Sequence, residues 1–257
     1  MKDWFAQHVL GLPEVASVKG VAVDDLMVYV HWLMLALFIG WSIYFCYALW
    51  RFNARRNPVA DHEGSKSKIP KYTEVAVVLA EAVLLLGIAI PLWARNVSKF
   101  PDPKDATVIQ IVAQQYAWNV RYPGPDGKFG QQDMSLVSDT NVFGVDPTDP
   151  DGKDDIQLLN EIHVPVNKPV LIYLSSKDVI HSLKLVAMRI TQDAIPGLRI
   201  PCTFTPTKIG RYQIECAQLC GPGHAAMSGG FVTVESEADY KAWLASKSGT
   251  TSAASFE

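Results

Sequence analysis

Two apolar runs open the chain, and a long region of short alternating segments follows them. Residues 26–50 carry one imidazole, His31, and no formal charge. A helix needs about 20 apolar residues to cross a bilayer, so this run is long enough. Trp and Tyr lie near both of its ends, where membrane interfaces favour them. Residues 73–95 form a second run, broken by Glu74 at its start and Glu81 about two turns deeper. Both runs are predicted to be transmembrane helices. Between them, in residues 51–72, Arg51, Arg55, Arg56, Lys66, Lys68 and Lys71 oppose only Asp61 and Glu63. A basic excess in a short loop places that loop in the cytoplasm, which puts both termini on the outer side. Residues 1–25 lack the continuous apolar stretch and small-residue cleavage site of a signal peptide. They are expected to form a short, partly helical segment outside the membrane.

Beyond residue 96 the pattern changes to short β-type runs punctuated by Pro and Gly. Strands are predicted at 107–112, 116–122, 159–164, 169–175, 179–186, 197–204, 210–216 and 229–235. Their spacing predicts a β-sandwich or Greek-key barrel over 96–235. The overall class is therefore all-β, tethered by a two-helix transmembrane hairpin. Residues 236–257 are expected to form a helix and tail. Ser236 and Asp239 resemble a capping box before YKAWLASK, and residues 248–257 are expected to be disordered.

The insertion at 123–158 carries eight Asp (126, 133, 139, 146, 149, 151, 154 and 155) against Lys128 and Lys153. A loop that long is commonly functional or mobile. It reads as a solvated loop, as a negative field that steers a basic partner, or as oxygen ligands for calcium. The spacing of its Asp residues is not that of an EF-hand.

The 257 residues suit one or two domains, and a net charge of −3 argues against nucleic acid as a partner. Of four Cys, Cys46 and Cys202 lie in apolar or strand-like surroundings and are expected to be buried small hydrophobes. No Cys-x-x-Cys-His occurs, so no haem c is attached to this chain and electrons would come from a separate cytochrome.

The chemistry concentrates in Cys216–Met227, CAQLCGPGHAAM. Thiolates, an imidazole and a thioether form a soft ligand set that selects copper over magnesium, calcium or manganese. A mononuclear blue-copper site needs one Cys, two His and a weak Met. The second Cys suggests two coppers sharing bridging sulfurs. One imidazole per copper would then require a second His, and His181 in KDVIHSLKL is the candidate. A disulfide would leave the His and Met spacing without a purpose. A zinc site built from the two Cys with His181 and His224 would not need Met227.

This stretch, with DVIHS and TQDAIPG before it, resembles the binuclear CuA loop of cytochrome c oxidase subunit II, and the match runs from about Asp25 to Val234. The resemblance implies a cupredoxin-like fold. It also implies bridging by Cys216 and Cys220, capping by His181 and His224, and weak ligation by Met227 and the Gln218 backbone carbonyl. In AQQYAWNVRYPG the family's electron-receiving Trp is replaced by Tyr116, with Trp118 matching its aromatic neighbour; these two are the candidates for where electrons enter. Glu74 matches the family's Glu at the mouth of a proton-uptake path, while Glu81 matches no family residue. Glu81 reads either as a proton relay or as a protonated carboxyl bonded to a neighbouring subunit. His31 reads as a proton-path residue or as an imidazole hydrogen-bonded to a helix.

Gln218 stands where the family usually has a magnesium-binding Glu. A neutral amide is a poorer ligand for a hard cation, so the magnesium site is expected to be weakened or absent. The implied partners are a haem-copper subunit I, other membrane subunits, a cytochrome c donor and lipid, in a prokaryotic plasma membrane. The implied function is passing electrons from cytochrome c to haem for oxygen reduction and proton pumping. Two rival readings are a CuA subunit of a haem-copper nitric oxide reductase and a membrane-anchored copper-delivery protein. A nitrous oxide reductase would carry a propeller domain before its copper domain.

Overall fold

The computed structural model describes residues 2–59, 62–63 and 66–247. It divides into two compact units. The first runs to Leu12 and resumes over Ala22–Arg95; the second comprises Pro13–Val21 and everything from Asn96.

The first unit holds α1 (Lys2–His8), most of α2 (Val18–Arg51) and α3, whose continuous run is Ile69–Ser98. Helices α2 and α3 are long and apolar enough to cross a membrane, and only 6% of each apolar window is buried. Helix α2 starts at Val18, well before the expected 26, because the polar VKGVAVDD stretch continues the same helix. The middle of α3, Val83–Ala89, is a π-helix in which the Ile90 N–H reaches back to the Leu85 carbonyl. Pro91 explains it: a ring without an N–H crowds the preceding turn, and the helix widens upstream.

His31 Nδ1 donates to the Met27 carbonyl at 2.7 Å, a bond within its own helix. Cys46 is exposed on α2, against the expectation of burial. A span that is apolar all round carries no stripe to mark an inner face. Asp61 and the tail at 248–257 lie outside the described residues.

The second unit is a two-sheet β-sandwich. Its strands are β1 (Thr107–Gln114), β2 (Ala117–Tyr122), β3 (Ile156–Leu159), β4 (Glu161–Pro165), β5 (Val170–Ser176), β6 (His181–Leu185), β7 (Ile190–Ala194), β8 (Ile200–Phe204), β9 (Gly210–Cys216) and β10 (Gly230–Glu235). One sheet runs β3-β2-β1-β5-β8 and the other β4-β10-β9-β6-β7. The fold class expected from the sequence, two apolar helices followed by a cupredoxin-like sandwich, is the one observed.

Period-2 alternation builds the inner faces, most cleanly in GFVTVE, where Gly230, Val232 and Val234 are buried. Ile109, Ile111, Trp118, Ile162, Ile172, Leu183 and Ile214 are fully enclosed. Cys216, Cys220 and Met227 belong to the same core cluster.

Two strands differ from expectation. The predicted strand 159–164 is two strands that meet at Asn160, which sits at φ 59°. Asn tolerates that left-handed conformation. The Asn160 side chain accepts from the Trp118 N–H at 2.9 Å and its carbonyl accepts from the Phe231 N–H at 2.9 Å, so the chain changes sheets there. Strand β7, ITQDA, is half polar and pairs with β6.

The acidic insertion between β2 and β3 has its own small core of Val142, Phe143 and Val145. Its aspartates serve as turn caps. Asp126, Asp133, Asp146 and Asp149 each accept the backbone N–H two residues ahead, an Asx turn. Hydrogen bonds from Ser135 and Thr148 hold the Asp133 and Asp146 carboxyls below the usual range, and Lys177 does the same for Asp139. Among the described residues, no group of three or more of these carboxylates converges as metal ligands.

The insertion is anchored by Arg121, which is fully buried between Phe129 and Phe143. Its guanidinium donates to Asp155, to the Gly130 carbonyl at 2.9 Å and to Gln110 Oε1 at 3.1 Å.

The sandwich also carries a strap and a lid. Ala16 donates to the Ala187 carbonyl and accepts from the Thr207 N–H, at 2.7 and 2.8 Å. The closing helix α4 (Glu237–Lys247) begins at the expected cap, with the Asp239 N–H donating to Ser236 Oγ at 3.1 Å. Its Trp243 stacks on His163, with ring centroids 4.3 Å apart.

Replacing Asp155 by Ala should cost the sandwich about 3–5 kcal/mol, because the Arg121 charge stays buried without its partner. Replacing both at once, Arg121→Met with Asp155→Leu, should cost much less. Denaturant unfolding followed by tryptophan fluorescence measures both.

Candidate metal centre

Strand β9 delivers Cys216 at its last residue, and the chain then loops through Cys220 into the short helix His224–Gly229, which leads into β10. Strand β6 pairs antiparallel with β9, placing Leu183 opposite Cys216. His181, at the start of β6, is thereby carried to the thiols. The ligand-type atoms of His181, Cys216 and Cys220 all lie within 4.8 Å of one another, and all three residues are buried. Cys220 Sγ lies 3.5 Å from His224 Nδ1 and 3.5 Å from Met227 Sδ. Cys216 Sγ lies 3.2 Å from the Gln218 carbonyl oxygen. Three of the groups expected from the sequence thus lie together, and His224, Met227 and the Gln218 carbonyl each meet one of the two thiols.

His181 carries the clearest sign of what the place is for. Its ring is 0% exposed. Nε2 donates to Asp178 Oδ1 at 2.9 Å, and buried Nδ1 has no partner. A buried polar atom without a partner costs about 1–3 kcal/mol, so it marks a place where a ligand is wanted. The carboxylate on Nε2 fixes the tautomer that leaves the Nδ1 lone pair free, the usual second partner of a metal-binding His.

Asp178 also accepts from the Gln115 N–H at 2.7 Å and the Val179 N–H at 2.6 Å. Partial burial opposes its ionisation, but these donors, with His181, hold its carboxyl below the usual range. Burial first, and then the neighbouring Cys216, push the Cys220 thiol up to about 11. At neutral pH the metal-free Cys220 thiol is therefore protonated, and metal binding there must displace its proton. Two thiols, two imidazoles and a thioether suit a soft metal, and the residues present fit copper. The cysteines are all free, so Cys216 and Cys220 form no disulfide.

The two aromatics expected beside the site are there. Trp118 is fully buried, its Nε1 donates to the Met227 carbonyl at 3.0 Å, and its ring lies edge-on to His181 at 6.2 Å. Tyr116 is half-buried and lies over the glycines of the loop. A Cβ at Gly221 would come within 2.5 Å of the Tyr116 hydroxyl, and one at Gly223 would overlap its ring. Glu74 and Glu81 belong to the first unit, exposed on α3. Cys202 is buried as expected, and burial pushes its thiol up to about 12.

Asp178, Gln115, Gly221 and Gly223 were not singled out by the sequence reading. The Asp of DVIHS, three residues before the His, was the available signal.

Residues 107–235 match the family model described as cytochrome c oxidase subunit II, periplasmic domain. The chain is 31% identical over 223 residues to an alternative cytochrome c oxidase subunit 2 of Bradyrhizobium diazoefficiens, covering 86% of this chain and 79% of that one. It is 29% identical to a cytochrome c oxidase subunit 2 of Cereibacter sphaeroides, covering 86% and 77%. Among solved structures it is similar to the periplasmic domain of subunit II of cytochrome oxidase of Bradyrhizobium japonicum. That likeness has 28% identity and a TM-score of 0.42, over 58% of this chain and 96% of that one.

Replacing Gly223 by Ala should drive the Tyr116 ring off the loop and lower stability by about 1–3 kcal/mol, the usual cost of overpacking. Gly229→Ala is the control, since nothing lies within 4 Å of its added Cβ. Thermal unfolding of the metal-free chains compares them.

Proposed function

The chain belongs to the cytochrome c oxidase subunit II family, and on that premise we propose that its β domain holds a binuclear copper centre that relays electrons from a cytochrome c to a haem in subunit I. The observation that carries this reading is the unpartnered, buried Nδ1 of His181, on a ring with a ligand atom within 4.8 Å of two thiols, one of which meets the Met227 thioether at 3.5 Å. When bound, a thiolate-bridged copper pair supplies one-electron redox chemistry with its charge shared over both ions.

The residues of this chain then have distinct tasks. Cys216, Cys220, His181 and His224 would hold the copper pair, with Met227 and the Gln218 carbonyl as weaker ligands. Asp178 keeps the His181 proton on Nε2. The surrounding core of Trp118, Ile214 and Leu183 excludes water and holds the ligands still, which keeps reorganisation small. Tyr116, over the loop, is the proposed point where electrons enter, with Trp118 behind it.

The basic loop supports a topology in which α2 and α3 cross a prokaryotic plasma membrane with the sandwich outside. Glu74 and Glu81 lie two helical turns apart on one face of α3, a candidate path for protons toward subunit I. Turn hydrogen bonds at Asp133 and Asp146, and Lys177 at Asp139, hold these three carboxyls below the usual range, which favours steering of a basic donor. This chain alone completes no reaction; oxygen reduction belongs to the partner subunit.

Gln218, Tyr116 and Glu81 depart from the oxidase pattern and favour a second reading, a CuA subunit of a nitric oxide reductase. Comparing oxygen uptake with nitric oxide uptake by the purified complex decides between them.

Copper analysis of the purified chain should find two ions per chain and a paramagnetic resonance spectrum of seven hyperfine lines. Cys220→Ser should abolish that pattern; one copper or none in the parent chain would overturn the reading. Magnesium in the purified complex should be substoichiometric, and Gln218→Glu should raise it. Full magnesium occupancy with Gln218 in place would refute that expectation.

A further inference from the structure

We infer that Gln115 is a positioning residue for the copper centre, clamping the thiol loop to the segment that carries His181 and so setting how firmly metal is held. The inference rests on the copper reading of the site. Gln115 lies in the tight turn between β1 and β2, and it bonds in two directions. Its backbone N–H donates to Asp178 Oδ2 at 2.7 Å, and its side-chain Nε2 donates to the Cys220 carbonyl at 2.6 Å. Asp178 in turn accepts from His181 Nε2 at 2.9 Å. One residue thus ties the backbone of a thiol ligand to the carboxylate that orients an imidazole ligand.

The site needs such a tie. The sheet aligns its two halves through only Leu183↔Cys216 and Lys184↔Glu215. The Ala217 N–H adds one bond, to the Ser182 carbonyl at 2.9 Å. Cys220 lies beyond that pairing, in a loop with no ladder of its own. His181 is the first residue of β6, paired with Ala194 of β7 but past the last pair with β9. Gln115 spans the two ligand segments from a third element.

The loop is shaped to admit it. Gly221 sits at φ +136°, and a Cβ there would come within 2.9 Å of Gln115 Nε2. The same door admits Tyr116, so Gln115 also fixes the aromatic ring over the loop. Two effects on the ligands follow from the bonding. Donation to the Cys220 carbonyl pins the peptide behind the thiol. Donation to Asp178 adds a backbone donor to the carboxylate that also accepts from His181 and the Val179 N–H. Outer partners of this kind typically change metal affinity by about 10–100-fold.

The test uses the full chain in detergent, loaded with copper. Gln115→Met keeps the length of the side chain and removes the donor. Gly221→Ala leaves Gln115 intact and blocks its approach. Both should lose copper to a copper(I) chelator at about 10-fold lower chelator concentration than the parent, and both should alter the hyperfine pattern. The melting temperature of metal-free Gln115→Met should stay close to the parent's. Unchanged retention and spectrum in both variants would overturn the clamp, as would a drop in metal-free stability large enough to account for the lost copper. A parent chain that binds no copper pair would sink the reading of the centre first, and the clamp with it.

Discussion

The arrangement depends on one imidazole held from behind. His181 gives its Nε2 proton to Asp178 and keeps Nδ1 bare inside a closed core. Water cannot reach that atom, and no protein donor meets it. The β9 register, the last loop and the packing of Trp118 all bring soft groups to the same spot. The sandwich tolerates an unsatisfied nitrogen there because the cost, about 1–3 kcal/mol, is small beside what a bound metal returns. Metal binding would therefore add to the stability of a fold that already assembles the donors and leaves one of them unpartnered.

The site was legible in the sequence wherever its chemistry is local. Cys216, Cys220, His224 and Met227 lie within twelve residues and bear soft donors at a spacing that suits a metal site. The residues that position them were not legible, because their roles are contacts across the fold. Gln115 and Asp178 are ordinary polar residues until a turn from one strand pair meets a loop from another. The glycines at 221 and 223 read as turn residues, whereas part of their value is the space they leave for Tyr116. A smaller residue on one side and a different aromatic on the other form one joint feature.

The fold shows the same division. Both apolar helices and most strands follow from period and length. The change of sheet at Asn160 does not, since nothing in LNEIHV announces a left-handed residue between two strands. Strand β7 does not show by period because ITQDA alternates weakly, although TQDAIPG resembles a family strand; its partner β6 supplies the order. Exposure on α2 and α3 also defeats the ordinary rule. Cys46 and Glu81 lie on the outer surfaces of helices in which apolar character says nothing about facing.

The insertion has a consequence for how shape and charge are divided. Asp126, Asp133 and Asp146 hold their turns through a single side-chain oxygen that accepts from the backbone. Asn offers the same oxygen without the charge. Evolution can therefore retune the electric field of this face one residue at a time while the loop keeps its form. Relatives that meet donors of different charge could share the loop's architecture and differ only in how many of its caps are acids.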